Sequence, residues 1–212
     1  MIKHKDQRVG VFIDVQNMYY SAKNLYNSKV NFGNILDTAV AGRQLIRAIA
    51  YVVKATGEET PFFEALNQRG LETKERPVQV FESGAKKADW DVGIAVDAIR
   101  IGEILDVVIL VSGDGDFVEL VEYLKHHGRQ VEAIAFGETS SAKLVKAVDD
   151  FIDLSSDKER FLIKPPQGGA KKNPPRQPRG GKPAGDRPRG ERRPRGSQGR
   201  PPQDSPSDDL AL

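Results

Sequence analysis

Four aspartates occupy positions from which a repeated strand–helix fold would bring them together. Asp14 follows the apolar run Val9-Gly10-Val11-Phe12-Ile13, and Asp114 and Asp116 flank Gly115 just after Leu105–Val111, the most apolar stretch of the chain. Asp91 opens a helix-like segment after Lys86-Lys87. Carboxylates crowded into one cleft repel one another unless a cation is bound or some take up a proton. A hard-oxygen set without Cys or His suits Mg²⁺ or Mn²⁺ better than zinc. Such a cation can activate water against a phosphodiester and offset charge on the leaving oxygen. The expectation is that Asp14, Asp91, Asp114 and Asp116 converge as catalytic groups and metal ligands, with Asp89 at the periphery.

The supporting candidates each have a plainer alternative. Asn17 would orient Asp14 or a bound water, or cap a helix. Ser112 would bond a phosphate or a turn amide. Asp97 lies six residues beyond Asp91, about 240° around a helix, so it does not share the face of Asp91. Lys86 and Lys87 would meet substrate phosphates or belong to an ordinary solvated loop. Of Tyr19 and Tyr20, one would pack in the core while the other stacks on a base.

The elements that must position these residues alternate between strand and helix. Val9–Ile13 reads as a strand, followed by a helix from about Met18 to Leu25 capped by Asn17. Asn31 caps a second helix that closes at Gly42, and Gln44–Val53 reads as a strand, with a helix as the alternative. Thr60-Pro61 begins a helix ending at Gly70. Glu72–Phe81, with Pro77, suits an outer strand, and Gly84–Lys87 a loop. Asp91–Ile101 reads as a helix with Val92, Ala95, Val96 and Ile99 toward the core. Leu105–Val111 is a central buried strand, Ser112–Asp116 the turn after it, and Phe117–Lys125 a helix ended at Gly128. Val131–Phe136 is a further strand, Ser140 or Ser141 caps a helix reaching Val148, and Phe151–Leu154 is a short last strand. Helices on both faces of a mostly parallel sheet follow, with the ligand crevice outside the carboxyl ends of the strands. Neither a Gly-x-Gly-x-x-Gly turn nor a Gly-Lys-Ser/Thr loop is present, which sets aside dinucleotide and P-loop chemistry.

Composition divides the chain near residue 165. Of the 212 residues, 165–212 hold 11 of the 13 Pro and 8 of the 20 Gly, with 11 Lys/Arg against 5 Asp/Glu, or +6. Residues 1–164 hold 21 basic and 25 acidic residues, or −4. An acidic folded domain, 1–164, followed by a disordered basic tail, 165–212, is expected. Arg187-Pro188-Arg189-Gly190 recurs as Arg193-Pro194-Arg195-Gly196; spaced Arg on a flexible chain can contact phosphates and stack on unpaired bases, and the plainer alternative is a solubilising tail with no specific partner. The absence of Cys excludes disulfides and thiolate chemistry, and the three His are too scattered for a zinc site. No apolar run reaches the ~20 residues that span a membrane, so a cytoplasmic protein is expected.

At these residues the chain resembles the NYN domain family, in its bacterial LabA-like branch, within the larger group of PIN-like nucleases. The resemblance rests on Phe12-Ile13-Asp14-Val15-Gln16-Asn17, on Asp91–Asp97 and on Val111–Phe117, with a weaker match from Leu144 to Leu154, and covers residues 8–155. It implies a three-layer, Rossmann-like α/β domain with a divalent-metal ribonuclease centre. Asp14, Asp91, Asp114 and Asp116 match the principal acids, Asn17 the amide after the first, and Asp97 a second acid in the helix motif. Where family members often carry Lys-Gly-x-Asp, this chain has Ala88-Asp89-Trp90-Asp91. The leading expectation is hydrolysis of RNA with Mg²⁺ or Mn²⁺, leaving a 3′-hydroxyl and a 5′-phosphate. The alternatives are an RNA-binding or regulatory protein with little or no catalysis, and a phosphohydrolase acting on a nucleotide. RNA is the expected partner, Lys86, Lys87, Arg187, Arg189, Arg193 and Arg195 are the candidate contacts, and a homo-oligomer is left open.

Overall fold

Apolar runs alternating with capped helices assemble into one six-stranded sheet in which every neighbouring pair is parallel. The computed structural model describes residues 3–54, 64, 66–77, 79–80, 86–87 and 89–163. The expectations for the 165–212 segment, including Arg187, Arg189, Arg193 and Arg195, lie outside the described residues. So do the predicted helix start at Thr60-Pro61 and the Gly84 end of the predicted loop.

The strands are β1 (Arg8–Asp14), β3 (Gln44–Lys54), β4 (Glu72–Pro77), β7 (Val107–Val111), β8 (Gln130–Ala135) and β9 (Asp150–Asp153), in the order β4-β3-β1-β7-β8-β9. Pro77 ends the outermost strand, where its missing N–H leaves no central ladder bond unmade. The helices are α1 (Val15–Tyr26), α2 (Phe32–Val40), α3 (Asp91–Gly102), α4 (Val118–His126), α5 (Ala142–Ala147) and α6 (Lys158–Phe161). Residues alternate across the sheet. Val9, Val11 and Ile13 pack with Met18, Ala22 and Ile35 on one face. Phe12, Val108 and Leu110 pack with Ile94, Ala98 and Leu124 on the other. Three layers result, and β7 is buried throughout, as its unbroken apolar run requires.

Among the described residues one ion pair lies inside. Arg43, just before β3, donates to both oxygens of Glu132 on β8 at 2.7 and 2.9 Å. Two further N–H groups go to the carbonyls of Ala39 and Val40. Both side chains are almost wholly buried, so Arg43 depends on Glu132, which Lys3 at 3.3 Å and the Gln130 amide at 2.7 Å also meet.

Four local expectations change. The first helix starts at Val15 and is capped by Asp14, whose Oδ1 accepts the Asn17 N–H at 3.0 Å; Asn17 is therefore inside the helix. On α3, Ile94, Ala98 and Gly102 are the buried residues; of the four expected toward the core, Ala95 and Ile99 pack partly buried against it, whereas Val92 and Val96 are 74% and 46% exposed. Lys86–Lys87 forms a short strand, β6, antiparallel to β5 (Gln79–Val80), rather than loop. After the last sheet strand, Phe161 on α6 packs into the first core face, and β10 (Leu162–Ile163) pairs antiparallel with β2 (Lys29–Val30). Among the described residues no helix is long and apolar enough to cross a membrane.

Candidate functional site

The strand order reverses at β1: β3 and β4 lie to one side, and β7, β8 and β9 to the other. Such a switch point opens a crevice at the carboxyl ends of the strands. Here a cleft of about 370 Å³ is lined by residues from α1, from the segment leading into α3, from the turn after β7 and from Thr139.

Asp14 ends β1 opposite Tyr51 of β3, one residue beyond the Ile13–Val111 pair with β7, and is 8% exposed. Burial pushes its carboxyl up to about 6, opposed by its bonds to the Asn17 and Gln16 amides and reinforced by Asp91 and Asp114. Asn17 reaches across from α1, its Oδ1 accepting the Gly113 N–H at 3.1 Å. The helix after β1 is thereby tied to the turn after β7. In that turn, Asp114 caps a single 3₁₀ turn by accepting the Asp116 N–H, and Ser112 Oγ accepts the Asp114 N–H. A Cβ on Gly113 would come within 2.8 Å of Ser140 Oγ, and one on Gly115 within 2.7 Å of Ser141 Oγ. These glycines admit the Ser140-Ser141 segment, whose Ser141 N–H donates to the Gly113 carbonyl.

On the other wall, Trp90 precedes α3. Its Nε1–H donates to the Val52 carbonyl at 2.9 Å, Tyr51 meets its ring edge-on, and the Arg76 guanidinium lies 4.3 Å from the ring centroid. Gly93 leaves room for the ring, since a Cβ there would sit 2.6 Å from it. Arg76 also donates to the Asp89 carbonyl oxygen, holding the segment in place.

The cleft thus gathers Asp14, Asp91 and Asp114, and it includes Asp89, which was expected at the periphery. Asp116 is exposed and does not line the cleft, and Ser112 serves the turn. Asp97 lies on another face of α3, where it accepts from Tyr51 Oη at 2.8 Å and pairs with Lys74 at 2.5 Å. Burial acts to raise its carboxyl, but those two hydrogen bonds together with the charges of Lys74 and Arg100 outweigh it and the net shift is downward. The Lys86 and Lys87 side chains lie outside the described residues.

The expected metal centre is overturned. Among the described residues, no group of three or more His, Asp or Glu side chains is arranged to hold a metal ion. The local chemistry agrees: caps direct Asp14 and Asp114 onto backbone amides, burial favours neutral Asp14, and Asp116 is outside. The Mg²⁺ or Mn²⁺ cofactor, the ligand role of the four acids and metal-dependent ribonuclease activity are corrected accordingly.

The site also contains residues that the sequence pattern did not single out: Gln16, Asn24, Trp90 and Thr139. Tyr19 and Tyr20 are both exposed, and their rings meet edge-on at 5.4 Å; Tyr20 lines the cleft and neither is a core residue. One available signal was the chain's single Trp at a helix start, three residues before a Gly.

Comparison with known proteins places this arrangement. A 24%-identical relative, the low amplitude and bright protein LabA of Synechococcus elongatus, aligns over 71% of this chain and 86% of its own length. A crystal structure of a protein of unknown function from Vibrio parahaemolyticus matches with a TM-score of 0.69 and 31% identity. That match covers 77% of this chain and all of the other. The NYN domain family model matches residues 8–155, the span from β1 to the segment after β9, and the chain belongs to the NYN domain family.

Proposed function

We propose that this NYN domain binds single-stranded RNA through the switch-point cleft and acts by binding, as an RNA-binding or regulatory protein, rather than by cleavage. The observation that carries this reading is one face of α1. Gln16, Tyr20 and Asn24, spaced four apart with Asn17 beside them, all line the cleft, with Trp90 from the segment before α3. Aromatic rings offer stacking surfaces to unpaired bases, and amides read base edges. Among the described residues, the side chains of Gln16 and Asn24 and the Tyr20 hydroxyl make no hydrogen bond, and Asn17 uses only its oxygen. The acidic floor disfavours phosphate, so a base would enter while the backbone stays at the rim. There, Arg76 covers Trp90, and Lys23 lies over the Tyr19 ring beside Tyr20.

Tyr20→Ala is expected to weaken binding of a labelled single-stranded RNA by about tenfold, the scale of one lost stacking contact. Its melting temperature should stay within about 1–2 °C of the parent, because Tyr20 is 51% exposed and surface substitutions change stability little. Unchanged affinity would remove the cleft from the binding surface.

The basic 165–212 segment would act as an electrostatic tether for the same RNA. A chain ending at residue 164 should bind more weakly at low salt and show a shallower dependence of affinity on salt. Identical salt slopes for the two chains would leave the segment without that role.

A further inference from the structure

We propose that the cleft selects an unpaired guanine, reading its Watson–Crick edge with carboxylates and its O6/N7 edge with the amides of α1. This rests on the RNA-binding reading above and adds the identity of the base. The cleft carries two chemically different sets of groups. Asp14 and Asp114 contribute carboxylates that only accept when ionised, and each offers about four lone-pair sites, so the amides they cap do not exhaust them. Gln16, Asn17 and Asn24, along one face of α1, contribute –NH₂ donors.

Among the four bases, guanine alone presents two adjacent donors, N1–H and N2–H₂, which match one carboxylate in a bidentate contact. It also presents two adjacent acceptors, O6 and N7, on the neighbouring edge, which match an amide donor. Uracil has one donor between two acceptors and would set its carbonyl oxygens against carboxylates. Adenine and cytosine each place an acceptor beside their amino group, with the same conflict. Tyr20 and Trp90 supply flat apolar surface for the ring, and a cleft of about 370 Å³ falls in the range of small-ligand sites.

The chain's single Trp lines the cleft and reports directly on occupancy. The experiment titrates the full chain, by Trp90 fluorescence, with short oligouridylates carrying one central G, A, C, U or inosine. Free GMP is titrated in a parallel arm. The G oligomer is expected to bind about tenfold more tightly than the U oligomer, with inosine, which lacks the N2 amino group, losing most of that gain. GMP alone should bind far more weakly than the G oligomer. Equal affinities for all five oligomers, with Trp90 still quenched, overturn guanine selection while leaving RNA binding in place. GMP binding as tightly as the G oligomer keeps the base but overturns RNA as its source. Failure of every oligomer and of GMP to bind overturns both readings. Tyr20→Phe should retain the preference, since the ring is kept, and its loss in that variant would contradict a stacking role.

Discussion

Asp14→Asn should stabilise the protein at neutral and alkaline pH. The Asp14 carboxyl is raised from 3.8 to about 6, chiefly by burial and further by Asp91 and Asp114. The folded state therefore binds this proton more tightly than the unfolded state does, and stability attributable to the group falls as pH rises from about 4 to about 6. Above that window the full penalty of a buried charge is present, about 2–3 kcal/mol for a shift of this size. Asn has nearly the same shape and is an equally good N-cap, so its Oδ1 can keep the Asn17 N–H. At pH 8 the variant should melt about 5 °C or more above the parent, and at pH 3, where Asp14 is neutral in both states, the two should coincide. Thermal unfolding across this range checks the sign. A variant less stable than the parent at pH 8 would mean that something cationic holds Asp14 ionised.

The largest expected loss lies at the other end of the sheet. Arg43→Met removes the partner of the fully buried Glu132 carboxylate, and breaking one side of such a pair costs about 3–5 kcal/mol. Lys3, at 3.3 Å from Glu132, recovers part of this from a more exposed position. Urea unfolding should show the midpoint falling with an unchanged slope, and Arg43→Met/Glu132→Leu should regain most of the loss, because no unpaired charge remains. A single variant within 1 kcal/mol of the parent would show that Lys3 and Gln130 suffice for Glu132. The folded fraction of Arg43→Met should bind RNA as the parent does, since Arg43 precedes β3 and the cleft lies at the strands' carboxyl ends.

These two residues show what sequence patterns carry and what they omit. The parallel sheet was legible because its central strands are unbroken apolar runs and because α2 and α4 run out just before glycines of positive φ, Gly42 and Gly128. The face of α3 was not legible. Val92, Ile94, Val96 and Ala98 are all apolar, so the pattern did not single out the buried face, and contact with the sheet selects Ile94 and Ala98. The helix start was misplaced because Asp14 and Asn17 are both good caps, and only the backbone decides which residue occupies that position.

The site was legible as a place but not as a chemistry. The switch-point rule brought Asp14, Asp91 and Asp114 to one cleft, yet nothing in their spacing gives the direction of their carboxylates. Two of them act as caps, Asp116 is exposed, and Asp97 belongs to a contact with Tyr51 and Lys74 that requires β3, β4 and α3 to be assembled first. Asn17 and Tyr20 were named, but Gln16, Asn24 and Trp90 were passed over because Gln, Asn and Trp each have ordinary structural uses. Their significance appears only when α1 and the segment before α3 enclose one space.

Whether the domain binds RNA without cutting it is tested most directly by one titration read twice. A 5′-labelled single-stranded RNA containing guanine is titrated with the full chain in EDTA, in Mg²⁺ and in Mn²⁺, with Trp90 fluorescence giving occupancy and a denaturing gel giving strand length. Comparable occupancy in all three, with the RNA intact after prolonged incubation, is the predicted result. Shortened RNA that appears only with Mg²⁺ or Mn²⁺, and disappears in Asp14→Asn, would contradict it.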